Sequence, residues 1–441
     1  MTILFIVYKA TSELDFVVPL IWRIKKDLPS ANISVLYGVI NKNMILRKST
    51  FYSDFFNKHK VKEYDLGDFM FKSKTFIRER LKKSFSFSYW DGVSRRNLHS
   101  LVKKGINKVV RLIDHTLTSS LDYENIFSSF RADIIFFALR VYNSPMKQKF
   151  FDYTSRIKKP VVLYPQGAFP STGSYEVSYG KKKSDNTAVL PKFTEVWYSF
   201  SREVTPKRYS DVADQFYYVG YPGLDKEWLE FLKPTFRSKE EGTLKCLFII
   251  RKFVKNNKDD WVFDYEEFMQ IARAVIRALR KTKLDITLVV KPHPSNDFKE
   301  VENVLRLLDY DNFQITYESI YQVLPQCDFA ISISSTVMLV PAIYGLPTIF
   351  LNSSVKDTFE RWAPMKDLFS GLQFYVEDLD HLDRTVDHVV SVLKKGMSLQ
   401  EHIEKDVQHF RTFYPDGSLD LCMKRLGCVH QAAVAPEKEL V

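Results

Sequence analysis

The sequence predicts an α/β protein of two doubly wound halves facing a central cleft, and three observations carry that expectation. Short β-branched runs alternate with amphipathic helical stretches in both halves, the pattern of βα units feeding parallel sheets. A length of 441 residues favours two domains over one core. An apolar content of 45% with 27% charged residues is the balance of a folded chain, not a disordered or fibrous one.

The first half opens with a strand over Ile3–Tyr8, a polar turn over Lys9–Ser12 and an apolar-periodic helix from about Glu13 to Lys26. Ser12 is placed to cap that helix, and Glu13 and Asp15 favour its N-terminus through the dipole. Ile33–Tyr37 is the next strand. Residues 41–130 mix helical periodicity with high charge and few clear strands, and are read as helices with an insertion. Strands return at Asp133–Leu139, Val161–Tyr164, Glu195–Tyr198 and Gln215–Val219, which close a first domain at about residue 222. A second domain, 223–430, begins with a strand over Lys245–Ile250 and a polar loop over Arg251–Asp260. An amphipathic helix over Tyr265–Leu279 follows, then strands at Ile286–Val290, Gln314–Tyr317, Phe329–Ile333 and Thr348–Leu351. Residues 431–441 read as a disordered tail.

Two segments carry the chemistry. Ile286-Thr-Leu-Val-Val-Lys-Pro-His-Pro294 ends a strand in Lys291, His293 and Pro294, and the strand Phe329–Ile333 leads through Ser332 into Ser334, Ser335 and Thr336. Ligands of open α/β sheets bind at the carboxyl ends of the strands, so these residues converge on one crevice. A cation, an imidazole and several hydroxyls there suit a phosphate. Thr336–Tyr344 has the composition of a short buried helix whose first turn offers unpaired N–H groups to an anion. Gly345 tolerates a left-handed helix end, and Pro347 blocks continuation before the next strand. A lone Ser or Thr at a helix start needs no ligand, since it is an ordinary cap. Three consecutive hydroxyls beside a His-Pro strand end point further.

Lys-Pro-His-Pro294, Ser-Ile-Ser-Ser-Thr336 and Gly-Leu-Pro347 together resemble the "HP" and "serine" motifs of bacterial GT-B glycosyltransferases of capsule and lipopolysaccharide assembly. Those families include sialyltransferases, Kdo transferases and CDP-glycerol transferases. Val219-Gly-Tyr-Pro-Gly-Leu-Asp225 is similar to the segment that closes their first domain, and Phe413-Tyr-Pro-Asp-Gly-Ser418 to one just before their last helix. The resemblance implies two Rossmann-like domains and an inverting transfer of a sugar from a nucleotide donor, a CMP-sugar ahead of UDP or CDP. It implies a glycan or lipid-linked glycan acceptor. The donor phosphate would fall to His293, Ser334 and Ser335, with Lys291, Pro294, Ser332 and Thr336 around them.

The resemblance also asks for a base on the first domain, a carboxylate within reach of the acceptor hydroxyl. Its relatives use an acidic residue followed by Gly, which matches Asp91-Gly92; Glu13 and Asp15, after the first strand, are the geometric alternatives. Gln166-Gly167 sits at a strand end where an amide can bind a sugar hydroxyl but cannot accept a proton. Arg251 is a candidate to assist the departing phosphate. No Asp-x-Asp of the metal-binding kind is recognised, so neither metal nor cofactor is expected beyond the donor itself. A UDP-N-acetylglucosamine 2-epimerase on the same scaffold is the alternative, although such enzymes present Gly-Gly and Glu where this chain has Ser334 and Ser335. A non-catalytic relative that binds nucleotide or polyanion is a third reading.

The net charge is +11, and twelve Lys or Arg stand against two acidic residues between Lys72 and Arg111, interleaved with aromatics. That segment suits the anionic surface of an inner membrane. No recognised nucleic-acid module accompanies it, so nucleic acid is not expected as a partner. Met1–Val7 lacks a basic leader or small-residue cleavage site, which points to a cytoplasmic protein with peripheral attachment. The uncharged stretch 329–351 contains Ser, Thr, two prolines and a glycine, and fits strand–helix–strand rather than a membrane span. Cys246, Cys327, Cys422 and Cys428 show no metal or redox spacing.

Overall fold

The computed structural model describes residues 1–7, 13–38, 49–69, 123–138, 150–165 apart from 151, 155 and 158, 193–199, 214–232, 243–254 apart from 252, 263–351 apart from 294, 295, 297, 334–336 and 338, and 371–434 apart from 377. Its strands assort into two large parallel sheets. The first holds β1 (Thr2–Val7), β2 (Asn32–Tyr37), β3 (Lys62–Asp65), β4 (Ile134–Ala138), β5 (Val161–Tyr164), β6 (Thr194–Tyr198) and β7 (Phe216–Tyr218), in the order 3-2-1-4-5-6-7. The second holds β8 (Leu244–Ile249), β11 (Ile286–Lys291), β12 (Phe313–Ile315), β13 (Phe329–Ile333), β14 (Thr348–Leu351) and β15 (Tyr375–Val376), in the order β12-β11-β8-β13-β14-β15. Counted within each domain, both sheets share the order 3-2-1-4-5-6, to which the first adds β7 at its edge; this is the doubly wound order whose direction reverses beside the first strand. A two-stranded ribbon, β9 (Phe253–Val254) with β10 (Phe263–Asp264), follows β8.

The strands form where apolar residues run uninterrupted, because helices cover both faces of a parallel sheet. Along β8, Leu247 and Ile249 face the core shared with the first domain, while Cys246 and Phe248 face the core beneath helix α5 (Tyr265–Lys281). That alternation is the two-residue period of a strand. Helix α5 starts after Asp264 in extended conformation, with Glu266 and Glu267 in its first turn and Arg280 and Lys281 in its last, so its charges oppose the helix dipole.

Helix α1 spans Leu14–Asp27 and α2 spans Thr50–Lys58. Glu13, not Ser12, occupies the N-cap of α1, and it makes no side-chain capping bond. Strand β3 lies inside the stretch expected to be a helical insertion. Its sequence, Lys-Glu-Tyr-Asp, forms an edge strand that is nowhere fully buried and so shows no apolar alternation. Gly345 adopts φ +95 as expected, and the N–H of Leu346 closes back on Pro341 at 2.9 Å to end helix Leu339–Tyr344.

The last helix, α11 (Ser418–Val434), includes residues 431–434 that were expected in a disordered tail. It packs against the first domain: Leu419, Cys422, Leu426 and Val429 are buried in the same core as β1 and α1. Arg425 binds both carboxylate oxygens of Glu195 and stacks 3.3 Å over the Tyr217 ring, and Arg23 reaches Asp420 at 2.7 Å. The chain therefore crosses between domains twice, at 219–225 and at 411–418.

The two crossings hold each other. Asp225, 3% exposed, accepts from Ser418 Oγ and from the Leu419 N–H, both at 3.0 Å, and so caps α11. Its other oxygen accepts from the Glu227 N–H at 2.9 Å. Arg411 donates to the Leu224 carbonyl at 2.8 Å and pairs with Asp416 at 2.7 Å. Asp225→Ala removes the cap and strands buried donors, and is expected to lower stability by about 2–3 kcal/mol in a denaturant midpoint measurement. Gly223→Ala places a Cβ 2.6 Å from the Asp15 carbonyl oxygen and 2.5 Å from Tyr321 Oη, and is expected to cost about 1–3 kcal/mol by the same assay.

Candidate functional site

The carboxyl ends of the two sheets meet along a seam formed by α2 and the segment that follows β12. The Thr50 N–H donates to the Glu318 carboxylate at 3.0 Å, the Ser319 N–H to Ser49 Oγ at 3.2 Å, and Gln322 Nε2 to Thr50 Oγ1 at 3.4 Å. A carboxylate from the second domain thus sits at the N-terminus of a first-domain helix, where the free N–H groups and the dipole favour it. Tyr321 Oη donates to the Gly223 carbonyl at 3.2 Å and ties the same seam to the first crossing.

Asp15, in the first turn of α1, lies at the centre of this seam. Its Oδ1 accepts from Tyr52 Oη at 3.1 Å. Burial is the dominant influence and pushes its carboxyl up to about 6, against the lowering effects of the Tyr52 hydrogen bond and the Lys291 ammonium. Lys291 is the last residue of β11, and its Nζ donates to the Glu318 carbonyl at 2.6 Å. Burial pulls its ammonium down to about 8, opposed by Asp15 and Glu318. The phenols of Tyr52, Tyr221 and Tyr321 are driven well above their usual range, first by burial and next by the charge of Asp15. They remain neutral at physiological pH.

The local sequence explains this placement. Pro19 lies inside α1 and has no N–H to return to the Asp15 carbonyl four residues earlier, so that oxygen lacks its helical partner. Gly223 packs its bare Cα against the same oxygen. The chemistry available at this centre is proton transfer, from a carboxyl whose ionisation is moved toward neutral pH and which feels the charge of an ammonium on the opposite domain.

The expected site residues divide into three groups. Lys291 lies at the seam as described, and His293 follows it, exposed, with its carbonyl accepting from the Asn296 N–H at 2.9 Å. Ser332 is fully buried within β13, and its hydroxyl donates to the Ile333 carbonyl at 3.1 Å, which turns it into the sheet. Glu13 is fully buried on the first domain, where its charge acts on Tyr164, whose hydroxyl is bonded to the Ile6 carbonyl at 2.9 Å. Arg251 sits just past β8, partly buried, and burial weakens its hold on the proton. Asp91, Gln166, Gly167, Pro294, Ser334, Ser335, Thr336 and the basic stretch 72–111 lie outside the described residues.

Asp15 lies on the seam, and its signal in the sequence is slight: an acidic residue in a helix start, four positions before a proline. The chain does contain two Asp-x-Asp tripeptides, Asp309–Asp311 and Asp378–Asp380, which corrects the expectation that none is present. Asp309 lies in a turn before β12, within 3.9 Å of Arg280, and Asp380 lies 3.6 Å from Arg277. Both sit by the last turns of α5, not on the seam. Among the described residues no group of three His, Cys, Asp or Glu is placed to hold a metal ion, and no helix is long and apolar enough to cross a membrane.

No protein-family model matches the chain, and no curated protein matches it either. Solved structures do. A protein from Listeria monocytogenes assigned as a UDP-N-acetylglucosamine 2-epimerase superposes with a TM-score of 0.54 at 11% identity, covering 100% of this chain and 99% of its own. S. aureus MnaA, solved with UDP, gives 0.51 at 10% identity, covering 99% of each chain. The UDP-GlcNAc 2-epimerase of Methanocaldococcus jannaschii gives 0.50 at 10% identity over 97% of this chain and 99% of its own. The fold is GT-B. The described residues thus form two Rossmann-like domains, with the last helix returned to the first.

The ionisation of Asp15 has a measurable sign. Its folded carboxyl sits near 6, above the ordinary value of 3.8, so its contribution to stability is greatest in acid and is lost as pH rises through about 6. Asp15→Asn is expected to leave stability unchanged near pH 4 and to raise it by on the order of 2 kcal/mol above pH 7. Urea unfolding of both proteins across that range checks this. Asp406, also pushed up to about 6, is present in both and cancels from the difference.

Proposed function

We propose that this chain is an inverting glycosyltransferase that moves a sugar from a nucleotide donor to a hydroxyl of a glycan or lipid-linked glycan acceptor, with Asp15 as the general base. The observation that carries this reading is a first-domain carboxylate raised toward neutrality at the meeting of both domains. In the step, Asp15 takes the acceptor hydroxyl proton and the acceptor oxygen bonds to the anomeric carbon. The bond from that carbon to the phosphate oxygen breaks, and its electron pair leaves with the nucleotide phosphate. His293, Ser334 and Ser335 would receive the charge on that phosphate, with Arg251 at the neighbouring strand end. A CMP-sugar is the favoured donor, on the resemblance of the motifs. Surface-polysaccharide assembly supplies an acceptor of this class, with the 72–111 stretch attaching the protein to an anionic membrane on its cytoplasmic side.

A second reading, a UDP-N-acetylglucosamine 2-epimerase, is favoured by the names of the solved structures that share the fold. Both readings require a nucleotide in the cleft, and they part at the product. An epimerase releases a rearranged sugar from the donor alone, whereas a transferase needs an acceptor to consume it.

The test is a panel of CMP, CDP, UDP and GDP in thermal unfolding. A nucleotide present at about a hundred times its dissociation constant stabilises by roughly 2.7 kcal/mol. Stabilisation by one of them, lost in His293→Ala and Ser335→Ala, is the expected result; none with any nucleotide rejects both enzyme readings. With the donor in hand, Asp15→Asn is expected to lower turnover by about 10²–10⁴ while donor affinity holds. Turnover is expected to survive EDTA, and its return only on adding Mg²⁺ would overturn the metal-independent mechanism.

A further inference from the structure

We infer that Asn296 is a positioning residue, which fastens the loop carrying His293 to the ends of three neighbouring strands and so holds the imidazole where a donor phosphate would meet it. The inference rests on the proposed reading of His293 as a phosphate ligand. Strands β12, β11 and β8 lie side by side, and Tyr317, His293 and Arg251 are each the second residue beyond the carboxyl end of one of them. Backbone bonds tie the strands up to that level. The Thr316 N–H donates to the Val290 carbonyl at 2.9 Å, and the Ile250 N–H to the Lys291 carbonyl at 3.1 Å. Pro292, next in the chain after β11, has no N–H with which to continue a ladder.

Asn296 takes over the pairing from there. Only 6% exposed, it donates through Nδ2 to the Arg251 carbonyl at 3.3 Å. Its own N–H donates to the His293 carbonyl at 2.9 Å, the bond that closes a four-residue turn, and its carbonyl accepts from Tyr317 Oη at 2.8 Å. One buried residue is thereby bonded beyond the ends of all three strands. Its amide has a single workable orientation, since reversing it would set Oδ1 against the Arg251 carbonyl oxygen. The tether is kept although it leaves Oδ1 buried with no hydrogen-bond partner, an arrangement that costs free energy. His293, by contrast, is exposed. A ring on an exposed loop binds a phosphate well only if the backbone beneath it is already fixed, because ordering the loop would otherwise oppose binding.

The experiment is a double-mutant cycle of wild type, Asn296→Ala, His293→Ala and the two combined, titrated by calorimetry at a temperature where all are folded. The probes are whichever of CMP, CDP, UDP and GDP stabilises the wild type, and its matching nucleoside. Each single substitution is expected to weaken nucleotide binding by about tenfold or more, the worth of a hydrogen bond to a charged group. The combined variant is expected to lie within about twofold of His293→Ala, because Asn296 acts through that ring. Nucleoside binding, which involves no phosphate, is expected to be unchanged throughout. Unchanged nucleotide affinity in Asn296→Ala, losses that multiply in the combined variant, or an equal loss for the nucleoside would each overturn the proposal. Its failure is distinct from that of the function it rests on. A wild type that binds no nucleotide, or binding that His293→Ala leaves intact, rejects the donor site as read and this proposal with it, whereas binding that only Asn296→Ala leaves intact rejects this proposal alone. Should Asn296→Ala not fold, Tyr317→Phe removes the phenolic tie by itself and is expected to weaken nucleotide binding by about two- to threefold with the nucleoside unaffected; no change there would also overturn it.

Discussion

The carboxylate of Asp225 is the constraint on which the rest of this architecture depends. It sits where the chain leaves the first domain, and it binds the start of the helix with which the chain comes back. Two sheets of the same doubly wound order, joined by one strand of chain, would be free to turn about that joint. A second crossing fastened to the first removes most of that freedom, and Arg411 adds a further tie to the Leu224 carbonyl. The seam bonds between Ser49, Thr50, Glu318 and Ser319 are then made between surfaces already held near each other. Each is worth only about 1 kcal/mol, and together they fix a register because the ordering cost has been met elsewhere.

The centre of the seam is held in a form that burial opposes. Asp15 and Lys291 are each displaced from their ordinary ionisation in the direction of neutrality, and the larger cause in both is loss of water. A carboxylate and an ammonium withdrawn from solvent add little to stability even when they attract. Their place at the meeting of two domains is therefore one that the packing around them must stabilise.

Much of the fold was legible because parallel strands announce themselves as unbroken apolar runs. β5, β13 and β14 fall where those runs fall. β3 carries no such signal, because an edge strand with three charged residues out of four has no buried face to pattern it. The last helix was misplaced for a different reason: its apolar residues reveal that it packs, but nothing local states on which domain. Val219–Asp225 and Phe413–Ser418 were each visible as motifs, and their contact through Asp225 and Ser418 is a fact of three dimensions alone. The site divides in the same way. Lys291 and His293 are readable as a strand end, whereas the role of Asp15 depends on Tyr52, Tyr321 and Lys291 arriving from distant parts of the chain.

The return of the final helix also orders the events of synthesis. Leu419, Cys422, Leu426 and Val429 complete the core that Ile3, Phe5 and Phe16 begin, at a separation of some four hundred residues. While the ribosome is still building the second domain, the first must carry an open apolar groove against α1 and β4. The domain made first is therefore the one finished last, its core closed only when residue 418 and those beyond it emerge.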